Sequence, residues 1–331
     1  MTRDPWFRNR LIRDAIYRAI EERMRIDPSV YLLGEGAEMK IHFDAPSIER
    51  DFPGRVITMP ISEDSNTNFA VGLSLGGCLP VVDVITADFL FRTMDSICNT
   101  AAKQATVSKP RTIIVRAEFM TGGPTTGQRL EALFTHVPGL NVVIPSNPLD
   151  AYALMRDALS RPEVTLFFED REIEDATSFC WSSVDDILPF GKASLWWPGG
   201  DVTVVTYGLM ARRLQLLRSR AHELGLSYEL IDLRTIYPID WETIFGSVSR
   251  TRALLVVEPD VKFGGIGAEI VARVSDGTSE DGRVPYGRPT EPGIATHRLG
   301  APRITIPIDF DQRRRLVPSD DDILNAIAAL S

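Results

Sequence analysis

The sequence predicts an α/β protein with two domains, each built on a mainly parallel sheet. Its 331 residues exceed one domain of ordinary size and suit two. Short runs of apolar residues predict strands that are buried on both faces. Segments with apolar residues at helical spacing separate these runs, and strands that alternate with helices are typical of a parallel sheet covered by helices.

The first part of the chain supplies one alternating block. Apolar residues between Phe7 and Ile20 recur at helical spacing, and VYLLG at 30–34 is a short apolar run that ends in glycine. Further strands are predicted at 81–85, 112–117, 141–145 and 165–170, and further helices at about 89–105, 129–135 and 149–159. We therefore expect the first domain at residues 1–185.

The pattern lapses between about residues 172 and 198, where polar residues and turn signals replace it. We expect a linker at 186–198 and a second, smaller α/β domain at 199–331. Its strands are predicted at 201–208, 227–234, 253–259 and 304–308. The segment 276–303 is rich in glycine, proline and charge, which predicts a long surface loop.

Composition excludes several classes of function. The 36 Lys and Arg residues against 45 Asp and Glu residues leave a net charge of -9, which argues against a nucleic-acid partner. No apolar run approaches the roughly 20 residues that cross a membrane, and the N-terminus lacks the pattern of a targeting segment. Cys78, Cys98 and Cys180 form no CxxC motif and predict buried, reduced thiols. The expected location is the cytoplasm.

Three glycine motifs match known functional patterns only in part. Gly72–Gly76 matches the nucleophile elbow G-x-S-x-G, but its neighbours predict a helix. Gly122–Gly127 has the glycine spacing of a phosphate loop without the lysine and hydroxyl that must follow. Gly265–Gly267 begins like a dinucleotide fingerprint, but Ile270 occupies the third glycine position. The four histidines show no zinc-binding spacing.

Glu63 is the first candidate for chemistry. It follows the apolar run Met-Pro-Ile and precedes a helix of small residues, so we expect its carboxyl group to be half-buried. Such burial raises the pKa of a carboxyl and lets it donate or share a proton at neutral pH, as acid/base catalysis requires. The alternative is a helix N-cap region, in which Asp64, Ser65 and Asn66 compete for the same role. The residues alone favour neither.

Taken together, several motifs resemble one family. These are PISE at 60–63, NFAVGLSLGGCLPVVDV, the DFLF and ICNTAAKQ run from Asp88, HVPGLNVVIPSNPLDAY at 136–152, DLRTIYPID and VVEPDVKFGGIGAEI. They resemble the β subunit of the thiamine-diphosphate-dependent first component of 2-oxo acid dehydrogenase complexes, a transketolase-like family. The resemblance covers nearly the whole chain in the same order. It implies a parallel-sheet pyrimidine-binding domain followed by a transketolase C-terminal α/β domain.

The resemblance also implies roles for single residues. Glu63 matches the glutamate that hydrogen-bonds N1′ of the cofactor's aminopyrimidine. Protonation of N1′ lets N4′ take the proton from thiazolium C2, and the ylide then attacks a 2-oxo acid, which loses carbon dioxide to give an enamine. Phe89 matches the aromatic residue that stacks on the pyrimidine. Ile61 would line the same pocket, and Glu35 matches an acidic position near the subunit contact.

Half of such a cofactor site is absent from the sequence. The family holds Mg²⁺ and the diphosphate with a GDG motif, and this sequence contains no GDG. Mg²⁺ needs oxygen ligands beside the phosphates. The resemblance therefore implies that an α-type partner subunit supplies the metal ligands, in an α2β2 heterotetramer, and that this chain supplies none.

Thr126 departs from the family pattern. It stands where the family has a histidine that serves acyl transfer to lipoyl groups, and threonine cannot act as a base near pH 7. We therefore expect a 2-oxo acid decarboxylase subunit, an oxidoreductase or transferase without ordinary lipoyl transfer. A specialised carboligase or ketol transferase is one alternative, and a non-catalytic scaffold subunit is another. Glu63 and Phe89 argue against the scaffold, and the substrate, the acyl acceptor and the pathway stay open.

Overall fold

The computed structural model describes residues 11–35, 46–104, 109, 111–119, 125–174, 188–198, 200–277 and 293–331. The chain divides into two compact units, residues 1–190 and 191–331. The division falls inside the segment 186–198, where the sequence predicts a linker. None of the helices in the described ranges is long and apolar enough to cross a membrane.

Unit 1 alternates strands and helices along the chain. Its helices are α1 (Ile12–Ile26), α2 (Pro46–Asp51), α3 (Glu63–Leu75), α4 (Glu131–Thr135), α5 (Pro148–Ala158) and α6 (Arg171–Glu174). Its strands are β1 (Val30–Gly34), β2 (Val56–Thr58), β3 (Leu79–Thr86), β4 (Ile113–Phe119), β5 (Leu140–Val143) and β6 (Val164–Asp170). They pair in the order β5-β6-β4-β3-β1-β2, and every pair is parallel.

A buried charge cluster joins the central strands of unit 1. The Arg116 guanidinium donates to Glu169 at 2.7 Å and lies 3.6 Å from Asp83, so that β4 is tied to β6 and β3. It also stacks over the Tyr17 ring of α1 at 4.8 Å. Burial raises the pKa of Glu169 to about 7, and the attraction of Arg116 counteracts part of that rise. The cluster fixes the register of the strands that carry the site described below.

The helix predicted at about 89–105 has a different form. A 3₁₀ helix, Ala87–Arg92, leads out of β3, and a π-helix, Ser96–Ala101, follows it. The buried Asp88 lies in the first turn of the 3₁₀ helix, and its carboxylate accepts hydrogen bonds from a segment beyond β4. Cys78 and Cys98 are half-buried free thiols, and Cys180 lies outside the described residues.

Unit 2 has its own sheet and core. Its strands are β7 (Ser194–Leu195), β8 (Val202–Thr206), β9 (Tyr228–Asp232), β10 (Thr235–Tyr237), β11 (Ala253–Val261) and β12 (Ala295–Ala301). Its helices are α7 (Gly208–Glu223), α8 (Trp241–Thr251), α9 (Ile266–Asp276), α10 (Phe310–Arg314) and α11 (Asp320–Leu330). The sheet order is β12-β11-β8-β9-β7, and β7 alone in that order runs antiparallel to its neighbour.

The last strand was predicted in the wrong place. Residues 304–308 form no strand, and Ile304 and Ile308 are 55% and 72% exposed. The strand is instead β12, at 295–301, within the segment predicted as a surface loop. Pro302 and Pro307 explain the first error, because proline has no N–H for a strand ladder. The edge position explains the second, because β12 pairs on one side with β11 and is largely exposed, so its sequence is not apolar.

Candidate active site

The predicted site residues follow the ends of neighbouring parallel strands in unit 1. Glu35 follows β1, Ile61 follows β2 and Phe89 follows β3, and these three strands are adjacent in the sheet. The carboxyl ends of parallel strands meet at one edge, which is where open α/β sheets bind their ligands. Chain topology therefore brings together residues that lie far apart in sequence.

Glu63 is the first residue of α3, and only 5% of its surface is exposed. Its Oε2 accepts a hydrogen bond from Nε of Arg92 at 3.1 Å. The N-cap residue of α3 is Ser62, and no side chain caps this helix. Asp64 accepts a hydrogen bond from the Ser96 hydroxyl, so its carboxylate also has a partner outside the cap.

Glu35 holds the start of α3 from the neighbouring strand. Its Oε1 accepts hydrogen bonds from the backbone N–H of Ser62 at 2.9 Å and from Nδ2 of Asn66 at 3.0 Å. Burial raises the pKa of Glu35, the hydrogen bond from Ser62 opposes that rise, and the nearby Glu63 carboxylate adds to it. The two acidic side chains predicted for the site therefore lie close to each other, and the charge of Glu63 acts on Glu35.

The 3₁₀ helix links the other predicted residues. Phe89 is half-buried within it, and the preceding Asp88 is buried. Asp88 accepts hydrogen bonds from the backbone N–H of Gly127 at 2.8 Å and of Gln128 at 3.2 Å, and from the Gln128 side chain at 3.3 Å. Gly127 has φ +100, a conformation that favours glycine. The half-buried Thr126 is thereby held beside the helix that carries Phe89.

The structure thus connects four of the five predicted residues. Glu35 reaches α3 through Ser62 and Asn66, and Glu63 reaches the 3₁₀ helix through Arg92. Thr126 adjoins residues bonded to Asp88 in the same helix, which also carries Phe89. Ile61 is different, because it is 78% exposed beside this edge and makes no part of the network.

Sequence reasoning missed Asp88 and Arg92 as members of the site. Both lie in the same short run as Phe89, at one residue before it and three residues after it. Helical spacing could have placed Arg92 on the face of Phe89, since side chains three apart in a 3₁₀ helix eclipse each other. The partners of Asp88 lie about forty residues away in sequence, at Gly127 and Gln128, and no local pattern indicates them.

The structure explains two of the glycine motifs that match functional patterns only in part. Ser74 of the G-x-S-x-G match is buried within α3 and donates to the Val71 carbonyl at 2.9 Å, so it is no nucleophile. At the start of α9, the fully buried Glu258 carboxylate accepts the N–H of Gly267 at 3.0 Å. A Cβ atom at Gly265 would lie 2.5 Å from that carboxylate. Gly265 and Gly267 thus leave room for the Glu258 carboxylate at the N-terminus of α9, the kind of position at which a dinucleotide fingerprint binds phosphate.

Two α/β units in this order, with an acidic site at the carboxyl ends of the first sheet, define a transketolase-like protein. Residues 9–173 match the family described as transketolase, pyrimidine binding domain, and residues 191–298 match transketolase, C-terminal domain. A solved structure titled "Split gene transketolase, inactive beta4 tetramer" has the same fold, with a TM-score of 0.79 at 20% identity over 97% of this chain and 98% of that one.

Closer relatives narrow the class. The chain is 33% identical over 292 residues to the 2-oxoisovalerate dehydrogenase subunit beta of Bacillus subtilis, covering 85% of this chain and 89% of the relative. It is 30% identical over 328 residues to the pyruvate dehydrogenase E1 component subunit beta of Rickettsia bellii, covering 96% and 97%. The chain belongs to the family of β subunits of the 2-oxo acid dehydrogenase first component, as the motif resemblance predicted, and the predicted fold class is confirmed.

Proposed function

We propose that the chain is the β subunit of a thiamine-diphosphate-dependent enzyme that decarboxylates a 2-oxo acid. One observation carries the proposal. Glu63 is a buried carboxylate at the ligand-binding edge of the sheet, with Oε2 held by Arg92 and no hydrogen bond to Oε1 among the described residues. An acceptor of this kind, joined through Arg92 to the helix that carries the half-buried ring of Phe89, suits a flat heterocycle with a protonated ring nitrogen.

The described residues fit the pyrimidine half of the cofactor. Glu63 would hold a proton at N1′, Phe89 would lie against the ring, and the exposed Ile61 would cover one side of it. Glu35 would fix the start of α3 through Ser62 and so keep Glu63 in place. When bound, thiamine diphosphate supplies a thiazolium carbon that adds to a 2-oxo group and accepts the electrons released with carbon dioxide.

An α-type partner completes the proposed site. The sequence has no GDG motif, and within the described ranges no group of three His, Cys, Asp or Glu side chains could hold a metal ion. We expect the Mg²⁺ ligands to come from the partner in an α2β2 heterotetramer. The curated relatives are named as β subunits, which supports a partner of this kind.

Thr126 argues against ordinary lipoyl transfer. Without a histidine at that position, we expect the decarboxylated product to be protonated or captured by a carbonyl acceptor, and we expect no transfer of an acyl group to a lipoyl group. A carboligase or ketol transferase subunit is the second candidate function, and Thr126 is the observation that favours it. A scaffold subunit would have no use for the hydrogen-bonded arrangement of Glu63, Arg92 and Glu35.

Glu63→Gln tests the proposal in the assembled complex. Glutamine has nearly the same shape but cannot exchange a proton, so turnover of a 2-oxo acid should fall by roughly 100-fold or more, the usual scale for losing a positioned acid/base group. Exchange of the thiazolium C2 proton, followed by NMR, should slow in parallel. Glu163→Gln is the matched control, because Glu163 pairs with Arg161 at the surface. Unchanged C2 exchange in Glu63→Gln would contradict the proposal.

A further inference from the structure

Arg92 is the charged side chain bonded to Glu63, and the sequence motifs give it no role. It ends the 3₁₀ helix Ala87–Arg92. Its side chain is 72% exposed, whereas that of Glu63 is 5% exposed, and the Nε to Oε2 distance is 3.1 Å. The pair therefore joins a solvated guanidinium to a carboxylate that is shielded from water.

The hydrogen bond occupies one carboxylate oxygen only. Nε of Arg92 donates to Oε2 of Glu63, and among the described residues no hydrogen bond reaches Oε1. Charge-assisted hydrogen bonds are the stronger kind, and one such bond limits the rotation of the carboxylate about its last single bond. Oε1 is left as an acceptor whose direction is set by the contact on Oε2.

Arg92 and Phe89 lie on one face of the 3₁₀ helix. They are three residues apart, and side chains at this spacing in a 3₁₀ helix eclipse each other. The same short element therefore carries the aromatic ring assigned to the pyrimidine and the guanidinium that holds the acid. A shift of this helix would move both.

Acidic side chains lie around the contact between Arg92 and Glu63. Glu35 follows β1 and is close enough to Glu63 for their charges to interact, Asp83 on β3 also acts on Glu35, and Asp64 follows Glu63 on α3. Arg92 carries the opposite charge and donates to Glu63. Removal of Arg92 would leave a buried carboxylate among acidic neighbours without this partner, which is costly.

We propose that Arg92 is a positioning residue that holds Oε2 of Glu63 and so presents Oε1 to the ring nitrogen of the cofactor. This inference rests on the proposed function. It assigns to Arg92 a role that depends on both its charge and its geometry. Lysine should preserve the charge with poorer geometry, and glutamine should lose the charge.

The experiment uses the complex assembled with its α-type partner and the variants Arg92→Gln and Arg92→Lys. Two quantities are measured: the dissociation constant of thiamine diphosphate with Mg²⁺ by calorimetry, and the rate of C2 proton exchange by NMR. For Arg92→Gln we expect roughly tenfold weaker binding and roughly tenfold slower exchange, the scale of one charge-assisted hydrogen bond. Arg92→Lys should recover part of both losses, because lysine keeps the charge with poorer geometry.

Arg50→Gln is the matched control. Arg50 donates to Asp51 at 2.9 Å, but its side chain is 74% exposed and it lies in α2, away from the 3₁₀ helix. Arg50→Gln should therefore leave both quantities unchanged. Wild-type affinity and an unchanged rate of C2 exchange in Arg92→Gln would overturn the positioning role while leaving the proposed function intact. Failure of the wild-type complex to bind the cofactor would overturn the proposed function and this inference with it.

Discussion

Thr126 is half-buried in the segment that Asp88 holds, and it stands where the family resemblance places a histidine. Reductive acylation of a lipoyl group needs a proton donor beside the dithiolane, because the sulfur that leaves the ring must be neutralised. A threonine hydroxyl is far too weak an acid for this at neutral pH. The effect of Thr126 on acyl transfer to a lipoyl group can therefore be measured directly.

We expect the assembled wild-type complex to form aldehyde or carboligation product from a 2-oxo acid, with negligible acyl-lipoyl product. Thr126→His should gain lipoyl acylation, because imidazole titrates near neutral pH. The mass of a free lipoyl domain, measured after mixing with enzyme and 2-oxo acid, reports the transfer. Thr125→His, one residue earlier, is the control for a histidine placed nearby. Rapid acylation by the wild type would show that Thr126 does not limit the reaction.

Glu258 makes the stability of unit 2 depend on pH. Burial raises the pKa of its carboxyl to about 7, and the hydrogen bond from Gly267 opposes that rise. The folded state therefore keeps a proton that the unfolded state has lost, so stability falls as the pH rises from about 4.5 to about 7. Asp260 adds to the effect, whereas Arg298 and Lys262 reduce it.

Glu258→Gln should remove this dependence, since glutamine stays neutral and its carbonyl can still accept the N–H of Gly267. The variant should gain up to about 3 kcal/mol relative to wild type at pH 8, and less than about 1 kcal/mol at pH 5. Denaturant midpoints of the full chain at the two pH values measure the difference. Glu269→Gln is the control, because Glu269 is exposed and pairs with Arg273 within α9. Equal effects of Glu258→Gln at both pH values would show that Glu258 does not titrate in this range.

The 3₁₀ helix Ala87–Arg92 is the element that organises the candidate site. It turns the chain out of β3, carries Phe89, places Arg92 against Glu63 and places Asp88 against the Thr126 segment. A sequence pattern indicates that this stretch is helical but not that its turns are tight. Its first turn is also held by hydrogen bonds from Gly127 and Gln128, which follow β4, the strand that pairs with β3, and no local sequence pattern indicates these contacts.

Asp88→Asn should loosen the Thr126 segment. Asparagine has one carbonyl oxygen in place of two carboxylate oxygens, so one of the N–H groups of Gly127 and Gln128 loses its acceptor, at a cost of about 1–3 kcal/mol. Hydrogen exchange of a peptide spanning 125–130 should become faster. Asp95→Asn is the control, because Asp95 is exposed and bonds only Asn99 among the described residues. Unchanged exchange in the peptide would mean that other contacts hold the segment.

The sequence predicts features that depend on local patterns and misses features that depend on distant contacts. The buried strands β3, β4 and β6 are predicted because both of their faces are covered and their residues are mostly apolar. The edge strand β12 is missed because it is largely exposed. Glu63 and Phe89 are predicted through motifs, whereas Asp88 and Arg92 are missed because their roles depend on hydrogen-bond partners more than 25 residues away in sequence.

For the whole molecule, the decisive question is whether one chain makes a complete cofactor site. The residues assigned to the pyrimidine lie on unit 1, and the sequence has no GDG motif for Mg²⁺ and the diphosphate. Much of the affinity for a diphosphate comes from its charge, which the metal neutralises. The net charge of -9 adds no general attraction for an anion.

We therefore expect the isolated chain to bind thiamine diphosphate and Mg²⁺ weakly, with a dissociation constant above about 10 μM, since contacts to the pyrimidine alone leave the diphosphate without partners. Adding the α-type partner should tighten binding by at least roughly 100-fold, which corresponds to about 3 kcal/mol, and should make it depend on Mg²⁺. Calorimetric titration of the chain alone and of the complex measures both. Thiamine without the diphosphate is the control ligand, because the partner's metal site should improve its binding far less. Submicromolar binding of thiamine diphosphate to the isolated chain would contradict the two-subunit site, and it would mean that residues of this chain hold the diphosphate.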